Sequence, residues 1–147
     1  MVTGGDANDF LVGGGGDDEL NGAAGNDSFI SGGGNDDVSG GSGQDRFIFA
    51  SALNPATNVD DISDFSAVDD TIVLDDAFFA GLTPGALSAD AFALAIAPES
   101  ASERVVYNSL TGDLFFNANG GDRSDLMQFA TLSNLAAGLS SSDFIIV

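Results

Sequence analysis

The sequence predicts an all-β chain: a coil of short stacked strands followed by a β-rich C-terminal cap. Three observations carry this. Five glycine- and aspartate-rich turns recur every nine residues through the first third of the chain. Each is followed by three residues with an apolar one at the centre: Leu11, Leu20, Phe29, Val38 and Phe47. Near Phe49 the composition shifts: 14 of the 20 glycines lie in residues 1–48, and longer apolar segments take over after them.

The turns are Gly4–Asp9, Gly13–Asp18, Gly22–Asp27, Ser31–Asp36 and Gly40–Asp45. Glycine tolerates positive φ, so six residues can reverse the chain tightly. The next three make a very short strand with only the middle side chain inward. Two units complete a coil of 18 residues with a turn on either side. Coils then stack at the inter-strand spacing of about 4.8 Å. One unit cannot bury its single apolar residue; stacking buries a column of them. Val2 stands nine residues before Leu11. Met1-Val2-Thr3 therefore reads as the strand of a preceding unit, and the chain as cut from a longer array with Met1 as an added start.

Arg46–Ala50 reads as one longer strand leaving the array, which divides the chain into residues 1–50, the repeats, and 51–147, the cap. Within the cap, Ile62, Asp64, Ile72 and Leu74 fit short strands with turns between. Ser88–Leu94 reads as one or two helical turns capped by Ser88. Arg104–Tyr107 and Asp113–Phe116 flank Asn108–Gly112 and predict a hairpin. The chain ends Ser142-Asp143-Phe144-Ile145-Ile146-Val147.

Composition narrows the function. There are 23 acidic residues against three arginines and no lysine, a formal net charge of −20. Such a chain repels nucleic acid, anionic membranes and acidic polysaccharides, and attracts cations. With no Cys and no His, thiolate chemistry, disulfides and the commonest zinc ligands and general base are absent. No apolar run approaches the roughly 18 residues of a membrane span. The N-terminus has neither a basic start nor an apolar core and does not read as a Sec signal peptide.

The turns supply what calcium needs. Calcium takes six to eight oxygens at about 2.3–2.6 Å and tolerates irregular geometry. Glycine-rich turns expose backbone carbonyls, and each turn adds one carboxylate. In a two-unit coil, turns on the same side are two repeats apart. This places Asp9, Asp27 and Asp45 on one side and Asp18 and Asp36 on the other, with Asp27 shared between two steps. Neighbouring carboxylates about 5 Å apart repel by roughly 3 kcal/mol at an effective dielectric of 20. An ion between them reverses the sign, so the array is expected to be unfolded without calcium and ordered with it.

The units match the nonapeptide G-G-x-G-x-D-x-U-x, with U a large apolar residue; Gly13–Asn21 fits every specified position. The chain resembles the C-terminal calcium-binding and secretion region of bacterial RTX (hemolysin-type) proteins. The resemblance is strongest over residues 2–48. It extends through Asp60–Phe65, Asp70–Leu74, the late hairpin and the acidic-then-apolar tail Asp143–Val147. It implies a right-handed parallel β-roll and a module secreted from a Gram-negative bacterium through a type I (ABC) apparatus. It also implies Ca2+ held by side chains of Asp9, Asp18, Asp27, Asp36 and Asp45. Carbonyls at positions two and four of the turns would join them: Gly5, Ala7, Gly14, Gly16, Ala23, Gly25, Gly32, Gly34, Gly41 and Gly43.

Departures from the motif carry expectations of their own. Ala7 at position four of the first turn and Ala23 at position two of the third are expected to cost of order 1 kcal/mol each at positive φ. They weaken the site between those turns. Ser31 replaces the first glycine of the fourth turn. The late hairpin loop, Asn117–Gly120, lacks the aspartates a calcium loop would prefer. For Asp60, Asp64 and Asp70, a further ion and simple turn capping both stand.

Other readings of the same residues are weaker. Gly13–Gly16 lacks the Lys-Ser/Thr of a phosphate loop, and no EF-hand loop is present. The repeats already explain the carboxylates that would suggest a glycosidase, so no catalytic residue and no enzyme activity are expected. The module is expected to be monomeric in isolation. Two alternatives remain: an accessory polysaccharide-binding module of an extracellular enzyme, and a structural segment of an adhesin or surface layer.

Overall fold

The computed structural model describes residues 1–94, 102–120 and 123–147. Six strands form from the repeats: β1 (Val2–Gly5), β2 (Phe10–Gly15), β3 (Glu19–Ala23), β4 (Ser28–Gly33), β5 (Asp37–Ser39) and β6 (Arg46–Phe49). Most are longer than the three residues expected, because extended backbone continues into the glycines. Pairing is parallel and joins residues 18 apart: Val2 with Leu20, Leu11 with Phe29, Leu20 with Val38, Phe29 with Phe47. Odd and even strands thus build two facing parallel sheets, a β-roll.

The roll continues past residue 50. Strands β7 (Asp60–Ile62) and β8 (Thr71–Leu74) add a coil with wider loops, placing Ile62 opposite Val38 and Ile72 opposite Phe47. After β9 (Gly85–Ala86) and β10 (Phe92–Leu94) comes the hairpin of β11 (Val105–Asn108) and β12 (Asp113–Asn117), where Val105 faces Phe116. Strands β13 (Leu126–Leu132) and β14 (Phe144–Ile146) then return to the roll, parallel to β7 and β8. The sheets run β1-β3-β5-β7-β13-β12-β11-β10 and β2-β4-β6-β8-β14-β9. The composition changes near residue 50; the sheets do not.

The core is two columns of inward side chains. One runs Leu11, Phe29, Phe47, Ile72, Phe144; the other runs Val2, Leu20, Val38, Ile62, Leu132. All are buried except the partly buried Val2 on the terminal coil. The Phe29 and Phe47 rings stack at 5.3 Å with their planes nearly parallel. Phe79 bridges Phe116 and Phe129 edge-on, closing the cap.

One local expectation changes, and the tail forms a last strand. Ser88–Leu94 holds only a single 3-10 turn, Ala89–Ala91, and Ser88 makes no side-chain cap bond; Phe92 leaves it directly as a strand. The tail Phe144–Ile146 lies inside a sheet between β8 and β9, with Phe144 fully buried.

Candidate metal sites

The turns gather along the two edges of the roll, and each edge carries a ladder of aspartates. The backbone N–H of each aspartate donates to Oδ1 of the aspartate one coil on. On one edge Asp9 donates to Asp27 and Asp27 to Asp45, both at 2.8 Å, and Asp45 to Asp70 at 3.0 Å. On the other, Asp18 donates to Asp36 at 2.8 Å and Asp36 to Asp60 at 3.2 Å. Regular repeats make this possible: a fixed unit length brings the same residue to the same edge on every coil.

The second carboxylate oxygens behave differently. Oδ2 of Asp18, Asp27, Asp36 and Asp45 is buried with no hydrogen-bond partner. A buried charged oxygen without a donor is costly. Four of them in register suit a hard cation better than any protein group. Carbonyls converge on the same edges. Those of Gly14 and Ala23 at position two, and of Ala7, Gly16 and Gly25 at position four, point along the stack at the α-carbons of Gly32, Gly41, Gly25, Gly34 and Gly43, where a Cβ would strike them. The Gly5 and Ala23 carbonyls also accept the Ala24 and Ser42 N–H groups at 3.0 Å. Among the described residues no three acidic side chains converge on one point, so an ion here would complete its shell with carbonyls.

Turn conformation separates the first unit from the rest. Positions two and four have positive φ in four turns: Gly14 and Gly16, Ala23 and Gly25, Gly32 and Gly34, Gly41 and Gly43. In the first turn neither Gly5 nor Ala7 does. Ala23 bears the expected conformational cost at φ 78°. Ala7 escapes it by a different backbone path.

Asp60, Asp64 and Asp70 have both oxygens engaged by the protein. Asp60 accepts from Ser31 Oγ as well as Asp36 N–H. Asp70 accepts from Ser66 and Asp45 N–H groups. Asp64 accepts the Gly40 and Gly41 N–H groups and Ser39 Oγ. That Asp60 and Asp70 extend the ladders was not expected, because wider loops break the nine-residue count. The signal was an Asp-x-apolar triplet: Asp60-Asp61-Ile62 and Asp70-Thr71-Ile72 repeat Asp36-Asp37-Val38.

Without an ion the ladders are electrostatically strained. Burial, reinforced by the Asp18 and Asp17 charges, raises the Asp36 carboxyl above its ordinary value. Burial, with Asp27 and Asp64 nearby, raises Asp45. Burial pushes Asp60 up to about 7 despite its hydrogen bonds, and raises Asp70.

Residues 3–38 and 12–47 match the family model of the RTX calcium-binding nonapeptide repeat. The array is an RTX calcium-binding repeat. RTX nonapeptides bind Ca2+, and the orphaned oxygens fit that ion. The fold is similar to the AlgE6R2 subunit of the Azotobacter vinelandii mannuronan C5-epimerase, with TM-score 0.57 and 24% identity over 99% of this chain and 91% of that one. It is also similar to the AlgE6R3 subunit, with TM-score 0.50 and 28% identity over 97% and 80%. No curated protein matches the chain in sequence. Among the described residues no helix is long and apolar enough to cross a membrane.

Proposed function

We propose that this RTX module folds when it meets extracellular calcium, and so supports type I secretion and stability of a larger secreted protein. One observation carries the reading: buried, unpartnered Oδ2 atoms on Asp18, Asp27, Asp36 and Asp45. Where free calcium is scarce the ladders repel themselves and the chain stays extended, a form suited to a narrow export channel. Outside the cell the ions fill the steps and the roll closes. The ligands are the aspartates of the five turns with the position-two and position-four carbonyls. The proposed division is one of chemistry, with the ion-holding turns in residues 1–50 and the cap, whose Asp60 and Asp70 continue the ladders, in 51–147. The module is non-catalytic and monomeric, and its tail Asp143–Val147 is the segment offered to the type I apparatus of a Gram-negative cell.

The likeness to epimerase subunits favours a second reading, an accessory module beside an extracellular enzyme. Mannuronan is a polyanion, and a net charge of −20 opposes binding it. Circular dichroism during a calcium titration tests the main reading: β-signal is expected to rise with calcium and fall on chelation. A chain equally β-rich in chelator rejects it. A glycan titration in millimolar calcium tests the second.

A further inference from the structure

We propose that the step between Asp36 and Asp60 is a cation site closed by the Ser31 hydroxyl, so that the calcium series on this edge stops one coil before its carboxylates do. The inference rests on the calcium reading above.

Asp60 takes the same place in its ladder as Asp36 does. Its Oδ1 accepts the N–H of the preceding aspartate, as the Oδ1 of Asp36 does. The two differ at Oδ2. That of Asp36 is orphaned, whereas that of Asp60 accepts the Ser31 hydroxyl. Ser31 stands at position one of its turn, where the other four turns have Gly4, Gly13, Gly22 and Gly40. A Cβ at Gly4, Gly22 or Gly40 would run into Oδ2 of Asp9, Asp27 or Asp45. Each of these is the aspartate of the glycine's own turn, which for Ser31 is Asp36. Ser31 carries a Cβ at that position, leaves Asp36 Oδ2 unpartnered and donates its hydroxyl to Asp60 one coil on.

A hydroxyl satisfies one carboxylate oxygen with one proton and brings no charge. It does for Asp60 what an ion would do for the others. The pair is out of water, Ser31 being 5% and Asp60 4% exposed. Asp36, only 1% exposed, keeps its unpartnered Oδ2 in the preceding rung as a second ligand once the hydroxyl is gone. Ala130 lies opposite Asp60 on the following strand, so no carboxylate extends the ladder further. The other ladder ends on a backbone donor, Ser66 N–H to Asp70 at 2.8 Å. Side-chain substitution cannot remove that donor, so the Ser31 step is the one that can be opened.

The test is the number of calcium ions carried by the whole chain, counted by native mass spectrometry at saturating calcium. Asp60→Asn is expected to keep the wild-type count, and Asp36→Asn to lose at least one ion. Ser31→Gly is expected to gain one, and the added Asp60→Asn change to abolish that gain. An ion lost in Asp60→Asn alone, or a folded Ser31→Gly chain with the wild-type count, overturns the proposal. If Ser31→Gly does not fold, the Asp60→Asn count decides. A wild-type chain that takes up no calcium defeats the calcium reading first, and this inference with it.

Discussion

The Asp27 backbone N–H donates to Asp45 Oδ1 at 2.8 Å, one coil on, while both residues keep a buried Oδ2 without a partner. Half of each carboxylate thus joins the coils directly, and the other half is left for something the chain does not supply. The Asp27 carboxylate in turn accepts the Asp9 N–H, so Asp27 serves two steps, one through its side chain and one through its backbone.

Asp27→Ala should therefore cost more than Asp9→Ala. It removes the acceptor of the half-buried Asp9 N–H together with the orphaned Oδ2, a loss of about 1 kcal/mol or more for the stranded donor. The half-folding calcium concentration, read by circular dichroism, is expected to rise further for Asp27→Ala. Equal shifts would mean that the bond from Asp9 and the orphaned Oδ2 add nothing.

Acid should replace part of calcium's effect. The folded carboxyls of Asp36, Asp45, Asp60 and Asp70 lie above the unfolded value of 3.8, with Asp60 at about 7. The ion-free roll then binds more protons than the unfolded chain. Stability falls with rising pH wherever the folded state is the more protonated. The contribution is fully present below about pH 4 and is lost as pH climbs toward about 7. The β-signal of the chain in chelator, read by circular dichroism, should be largest near pH 4 and fall as pH rises toward about 7; a flat profile contradicts the ladder electrostatics.

Ala23 and Ala7 should respond oppositely to glycine. Ala23 sits at φ 78°, and Ala7 does not lie at positive φ. Ala23→Gly relieves a left-handed residue and is expected to be neutral or to stabilise by up to about 1 kcal/mol. Ala7→Gly only frees the unfolded chain and should destabilise by roughly 0.4–1 kcal/mol. Urea denaturation in saturating calcium distinguishes them.

Phe47→Ala should cost about 3–5 kcal/mol. The ring is 2% exposed and stacks on Phe29 while tilting against Phe65. It links the repeats to the cap, so the loss should appear even at saturating calcium. A chain whose urea midpoint is unmoved would show the column to be dispensable.

The periodic part of the molecule was legible because one rule repeats. Nine residues per unit and two units per coil set strand pairing, edge and inward side chain for residues 2–47. Where loop lengths change, counting fails. The 24- and 25-residue steps from Asp36 to Asp60 and from Asp45 to Asp70 conceal that the roll continues. Sheet pairing tolerates a longer loop as long as the strand returns in register. Nor could Ser88–Leu94 be assigned locally, since burial in the sheet outweighs a weak helical preference.

The sequence by itself determined the repeat, its inward column and the placement of Asp9, Asp27 and Asp45 on one edge and Asp18 and Asp36 on the other. These follow from period and chain geometry alone. Only the tertiary structure decided which carboxylate oxygens are satisfied by the protein. That depends on donors brought from far along the chain: Ser31 reaching Asp60 across 29 residues, and Asp45 N–H reaching Asp70 across 25. A carboxylate's residue type says it can bind a cation. Whether a donor already holds it is settled by packing.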